Sequence, residues 1–306
     1  MSIATRLLAS TVGRVSPKYR TINEWSLTYR KIIAAKPISD KTKANRNSSL
    51  SHILASFGHR TISGVKPHEI AAMVLETHAV HPQKAKRVLI ETRDVFNEAM
   101  NYGWIDRNPA IGVKAPQVRV KRQRLTLAQW WKILRYAIEH QPPWVARMLA
   151  LALLTGQRRS DLGKMRLDDD VWEGHLHIEQ AKTGTRLALP LALRLNVIDL
   201  TLEQVIDDCS GYYTAGAGGF LLRKHNGKQL GLASLSARFE AAREGALGDV
   251  GENPPSLHEC RSLSERLYRA QGINTMTLLG HKHQSMTDMY NDDRGLTRGE
   301  WKTLAL

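Results

Sequence analysis

The apolar period of this chain changes twice, and those changes limit the folds open to it. From Ile22 to Leu154 apolar residues recur at the three- and four-residue spacing of helices. On either side of Lys182-Thr183-Gly184 the spacing falls to two, with Leu176 and Ile178 before the tripeptide and Leu187 and Leu189 after it. That alternation predicts a β-hairpin with Gly184 supplying the turn. From Leu232 onward the helical period returns. A long helical run, one hairpin and a helical close describe a mainly α protein with a small β-sheet.

The first part resolves into four expected helices. Ile22, Trp25, Tyr29, Ile32 and Ile33 share one helical face, and Ser39-Asp40 caps a second helix that carries Leu50, Ile53, Leu54 and Phe57. Pro67 opens a third with Ile70, Met73 and Val74. Pro82 precedes a long fourth, on which Val88, Ile90, Val95, Phe96 and Met100 are the apolar positions. Asn108-Pro109-Ala110 ends the set, so residues 21–115 read as a compact helical bundle. Two more helices follow between Leu125 and Leu154, with Trp130, Ile133, Leu134, Met148, Leu149 and Leu153 as core.

At 306 residues the chain can hold two domains. Its net charge of +15 is unevenly placed. Residues 1–124 hold 22 Lys and Arg against 8 Asp and Glu, whereas 125–306 hold 22 against 21. So lopsided an excess points to a polyanion, and nucleic acid is the expected partner. The excess peaks at Lys114, Arg119, Lys121, Arg122 and Arg124, around a basic linker over 116–124 that could lie along phosphates. Residues 1–20 are acid-free and read as a basic tail. A transit peptide is the competing reading of that tail.

Cys209 and Cys260 are far apart and form no CxxC, which argues against a disulfide framework and fits a reducing cytoplasm. No apolar run approaches the length of a membrane span.

Five segments of the second half carry groups that handle phosphate: Arg158 in Leu-Thr-Gly-Gln-Arg, Lys182 in Ala-Lys-Thr-Gly, His258 and Arg261 in His-Glu-Cys-Arg, His281 in Leu-Gly-His, and Tyr290. Taken singly, each has a plain reading. Arg158 with Asp161 one turn on could be a surface pair worth under about 1 kcal/mol, or a guanidinium fork on two phosphate oxygens that Asp161 holds in place. His258 and Arg261 share a helix face beginning near Ser256, which suits a phosphate or simply solvent. Lys182 at a hairpin tip could reach into a groove or only solubilise. His281 caps or starts a helix. Tyr290 opens a polar, mobile segment, as packing residue or nucleophile. Asp168-Asp169-Asp170 reads as a turn before it reads as a metal site.

As an ordered set these residues resemble the tyrosine recombinases, the phage integrase family. The resemblance runs from about Ile22 to the C-terminus and is densest over 153–190 and 255–295. It implies a SAM-like helical core-binding domain over 21–115, an α+β catalytic domain over 125–290, and a tail over 291–306 that docks in trans. Arg158 and Arg261 fall on the arginine pair, Lys182 on the hairpin lysine, His258 and His281 on the two histidines, and Tyr290 on the nucleophile. Asp161 stands where many members carry Glu. Residues 1–20 are too few for the separate arm-site DNA-binding domain that some members carry.

The resemblance further implies site-specific recombination at double-stranded DNA attachment sites by a homotetramer. Strand exchange would pass through a 3′-phosphotyrosine and a Holliday junction, without metal, ATP or other cofactor. Host DNA-bending proteins and excision-directionality proteins are the expected accessory partners, and the phage-infected or bacterial cytoplasm the expected location. A type IB topoisomerase-like enzyme and a non-catalytic DNA-binding regulator are the rival readings.

Overall fold

The computed structural model describes residues 20–118, 122–211 and 219–291. The chain divides into two compact units between Val120 and Lys121, within the segment expected to be a linker. Arg119, Lys121 and the two expected tails, apart from Arg20 and Asn291, lie outside the described residues.

Among the described residues, the first unit has four α-helices: α1 (Ile22–Ala35), α2 (Asp40–Phe57), α3 (Pro67–Val80) and α4 (Pro82–Asn101). Each start has a local cause. Thr21 and Glu24 form a capping box on α1, Ser39 accepts from the Thr42 N–H on α2, and prolines occupy the first positions of α3 and α4. On α4 the buried stripe of Ala85, Val88, Leu89, Thr92, Val95, Phe96 and Ala99 follows the helical period, in singles and adjacent pairs about one turn apart. Ile90 and Met100, expected among its apolar positions, fall off that stripe and are exposed. Ala85, Leu89 and Ala99 are buried in their place. Tyr29 and Arg46 meet Glu91 and Asp94 at the edge of this core and tie α1 and α2 to α4.

The second unit is centred on α6 (Trp144–Thr155), an apolar helix buried on nearly every side. Around it pack α5 (Leu127–His140), α9 (Leu202–Gly211), α10 (Leu232–Leu247) and α11 (Glu259–Ala270). Short helices α7 (Arg159–Leu162) and α8 (Leu167–Asp170) follow α6. They lead into an antiparallel sheet of β1 (Val171–Trp172), β2 (His175–Glu179) and β3 (Arg186–Pro190), in that order. Leu176 pairs with Leu189 and Ile178 with Leu187, so the alternating residues share one face, and Gly184 turns the hairpin at φ +65°.

The two-residue β1 and the small β4–β5 pair (Arg194–Leu195 with Leu200–Thr201) carry too few residues to show a period, and sequence reading passes over them. The unit closes with α12 (Thr275–Leu279) and α13 (Gln284–Asp288). No helix among the described residues is long and apolar enough to cross a membrane.

Candidate active site

Four structural endings converge in the second unit: the C-terminus of α6, the β2–β3 hairpin, the N-terminus of α11 and the α12–α13 turn. Gly156 ends α6 in the left-handed region at φ +62°, and a Cβ there would lie 2.8 Å from Leu279 Cδ2 and 3.0 Å from Ser264 Oγ. Only glycine therefore lets the Thr155–Arg158 loop pass this close to α11 and α12. Arg158 then caps α7, with its side chain half-buried.

Arg261 lies at the centre and is 1% exposed. Its Nη1 donates to the Gly156 carbonyl at 2.7 Å, and its Nη2 to the Leu279 carbonyl at 2.6 Å and to His281 Nε2 at 3.0 Å. Because arginine only donates, His281 Nε2 accepts, which places the imidazole proton on Nδ1, facing Thr287 Oγ1 at 2.9 Å. Burial, then Arg158 beside it, lowers the Arg261 guanidinium to about 10. Burial, with Arg261 and Arg158, lowers His281 to about 4, so its ring is neutral near pH 7. His281 lies in the turn after α12 and donates its N–H to the Met276 carbonyl at 3.0 Å. The expectation that it caps or starts the next helix fails, because His283 stands at the cap.

Tyr290 lies two residues beyond α13, with its ring stacked on His281 at 5.6 Å between centroids and its phenolic oxygen 3.3 Å from His258 Nε2. His258 precedes α11 and faces solvent on one side. Desolvation by surrounding protein, then the charges of Arg261, Arg158, Arg122 and Lys182, lower it to about 4. A neutral imidazole beside a phenol is an acceptor for the phenolic proton. Ser262 Oγ donates to the Tyr290 carbonyl at 2.9 Å and Arg124 Nη2 to the Met289 carbonyl at 2.6 Å, while the segment expected to be mobile lies, apart from Asn291, outside the described residues. Lys182 is exposed at the hairpin tip. The structure thus links Arg158, His258, Arg261, His281 and Tyr290 in one cluster, with the Lys182 charge acting on it.

Two expectations change. Asp161, 2% exposed, bonds the hairpin rather than Arg158: its Oδ1 accepts the Ala181 N–H at 2.9 Å and pins the hairpin next to Lys182. Arg124, expected to face DNA phosphates, is 1% exposed and pairs with Glu259 Oε2 at 3.0 Å. Lys114 and Arg122 remain exposed, as a phosphate contact requires. Asp169 and Asp170 bond Arg166, through its guanidinium and its N–H, and no metal-holding cluster of His, Cys, Asp or Glu occurs among the described residues.

One residue escaped sequence reading. Gln180 is fully buried, and its Oε1 accepts from Arg158 Nη1 at 3.0 Å and from Thr183 Oγ1 at 2.9 Å. Its Nε2 donates to Gln157 Oε1 at 2.7 Å and to the Leu279 carbonyl at 2.9 Å. A single amide thereby joins the first arginine, the lysine hairpin and the histidine turn. A polar residue at a strand end carries no signal of this in sequence; the one hint is its place two residues before Lys182.

Comparison with known proteins agrees with this geometry. The family model described as phage integrase family matches residues 123–295, and that of the phage integrase central domain matches 25–115. The prophage integrase IntE of Escherichia coli (strain K12) is 40% identical over 257 residues, which is 81% of this chain and 67% of that protein. The integrase of Enterobacteria phage P21 is 42% identical over 234 residues, 74% of this chain but 60% of that protein. The integrase of Escherichia phage lambda is 33% identical over 290 residues, covering 94% and 79%.

Among solved structures, a lambda integrase (residues 75–356) dimer bound to a COC′ core site superposes with TM-score 0.84 at 32% identity, over 94% of this chain and 99% of that one. A lambda integrase tetramer bound to a Holliday junction gives 0.84 at 29%, over 100% and 84%. With both family models matched in order along it, the chain belongs to the phage integrase family.

Proposed function

We propose that the chain is a site-specific DNA recombinase that integrates or excises DNA through a 3′-phosphotyrosine intermediate. The observation that carries this reading is Tyr290 Oη, 3.3 Å from a neutral His258, in a cluster that holds Arg261 and Arg158. Tyr290 Oη attacks the scissile phosphorus, its proton passing to His258 Nε2, and the 5′-oxygen leaves with a proton from Lys182. Arg158 and Arg261 stabilise charge on the non-bridging oxygens, and His281 holds Arg261 on the phosphate side. The new ester keeps the phosphodiester energy, and attack by another 5′-hydroxyl reverses the step on a new strand. Protein cations supply the charge stabilisation, so cleavage should survive EDTA and need no nucleotide.

A dimer on a core site and a tetramer on a Holliday junction among the lambda integrase structures support a homotetramer acting on double-stranded attachment sites. Lys114, Arg119, Lys121 and Arg122 would contact the backbone there. DNA-bending and directionality proteins would be its accessories and the cytoplasm its place of action. The tail from 291 would dock on a neighbouring protomer.

Tyr290→Phe tests the reading. Incubated with a nicked half-site duplex and run on a denaturing gel, the variant should bind DNA yet show no shifted covalent band. A shifted band would remove Tyr290 from its role.

A further inference from the structure

We infer that Arg124 is a positioning residue for the nucleophile, acting through the carbonyl of Met289, rather than a phosphate contact of the linker. The inference rests on Tyr290 being the attacking group. Arg124 lies at the end of a run of basic residues, but its guanidinium is turned away from solvent and spans two parts of the site. Nη1 meets Glu259 Oε2 at 3.0 Å, and Nη2 donates to the Met289 carbonyl at 2.6 Å. Glu259, 3% exposed, directly follows His258 and stands two residues before Arg261. The Met289 carbonyl belongs to the peptide group that carries the Tyr290 N–H. One rigid fork therefore ties the start of the histidine–arginine helix to the peptide plane from which the nucleophile departs.

Two further contacts show that the fork is itself fixed. The Gln123 N–H donates to the Asn253 carbonyl at 3.0 Å, and Arg266 Nη2 donates to the Leu125 carbonyl at 2.6 Å. Both neighbours of Arg124 are thus strapped to this unit, and the guanidinium is aimed with no contribution from DNA. On the other side of the nucleophile, Ser262 Oγ holds the Tyr290 carbonyl at 2.9 Å. Consecutive carbonyls at 289 and 290 are gripped from one surface, leaving the phenol few directions. A buried ion pair adds little net stability over an apolar pair of like volume, while loss of one partner strands a charge. What this pair supplies is an orientation.

The test uses four full-length forms: Arg124→Lys, which can keep Glu259 company but lacks the second arm of the fork; the double variant Arg124→Met, Glu259→Met, which strands no charge; and Lys182→Ala and Tyr290→Phe as controls. The DNA is a nicked half-site duplex that the unaltered chain cleaves. The first two should melt near the unaltered chain and bind with the same salt slope. At saturating DNA, their single-turnover adduct formation should fall by on the order of 10-fold or more, as a misplaced nucleophile predicts. A duplex with sulfur in place of the leaving 5′-oxygen needs no proton donor, and should rescue loss of Lys182 but not loss of Arg124.

Unchanged rates in the folded double variant would overturn the inference. So would a salt slope reduced by about one, with a rate restored by more DNA, since that is the behaviour of a phosphate contact. An adduct from Tyr290→Phe would instead overturn the nucleophile reading on which the inference stands.

Discussion

The phenolic oxygen of Tyr290 lies 3.3 Å from Nε2 of His258, and the imidazole that faces it is neutral at pH 7. That pairing makes proton transfer from the phenol dependent on the titration of one ring. The ring's proton affinity is set first by desolvation and then by four cations, Arg261, Arg158, Arg122 and Lys182.

A pH profile should show this directly. His258 and His281 are both lowered from 6.5 to about 4 in the folded chain. Between those values the unfolded chain binds more protons than the folded one, so stability present above pH 6.5 is lost as the pH falls toward 4. Adduct formation should be flat from about pH 6 to 8 and fall in acid as His258 protonates. A bound phosphate opposes the surrounding cations, so the midpoint at saturating DNA should lie above that of the free imidazole. NMR titration of the His258 ring, compared with single-turnover rates, measures the gap. Coincident midpoints would mean that the phosphate does not sit among these charges.

The two arginines should separate in their effects on folding. Arg261 donates to two buried carbonyls and to His281, whereas Arg158 is half-buried and held by Gln180. Arg261→Ala should cost about 1–3 kcal/mol for each buried acceptor left alone, and the rate with it. Arg158→Ala should melt nearly normally and still lose on the order of 10²-fold in cleavage. Thermal melts alongside adduct assays would show it, and equal melting losses would mean that Arg158 is as structural as Arg261.

Most helices and the hairpin were legible because their residues repeat. Spacing finds Val88, Val95 and Phe96 on α4 though it misplaces Ile90 and Met100, and alternation about Gly184 finds the Leu176–Leu189 pair. What spacing cannot show is which like-charged residue turns inward. Arg124 and Arg122 stand in one basic run, yet the first pairs with Glu259, 135 residues away, while the second is exposed. Asp161 likewise looks like the partner of Arg158 along its own helix, and binds the Ala181 N–H instead. Gln180 was hidden for the same reason, since three of its partners, Arg158, Gln157 and Leu279, are brought to it only by the fold.

Gln180→Leu is the sharpest probe of that hidden contact. Leucine fits a fully buried side chain of similar size but makes none of the four hydrogen bonds of the amide. Stability should fall by about 1–3 kcal/mol for each polar group left buried and unpaired. Cleavage should drop by about 10-fold or more beyond the loss of folded protein, because Arg158 and the Lys182 hairpin lose their common anchor. Denaturant melts give the first quantity and single-turnover rates the second. A folded variant that cleaves at the unaltered rate would reduce Gln180 to a packing residue.

DNA affinity should divide unequally between the two units. Each has its own apolar core, with no residue shared between the two. Cut where the chain divides, residues 1–120 hold 19 Lys and Arg against 8 Asp and Glu, and 121–306 hold 25 against 21. The second balance overstates what can reach DNA, since Arg124 and Arg261 are buried among protein partners. Counterion release makes log K fall with log[salt] in proportion to the phosphates neutralised, with a slope near −0.9 per contact on duplex DNA. The 1–120 fragment should therefore bind duplex with a steep salt dependence, and 121–306 weakly with a shallow one. Slopes from binding titrations at several salt concentrations would measure both, and equal slopes would show that the charge imbalance does not decide where the phosphates are held.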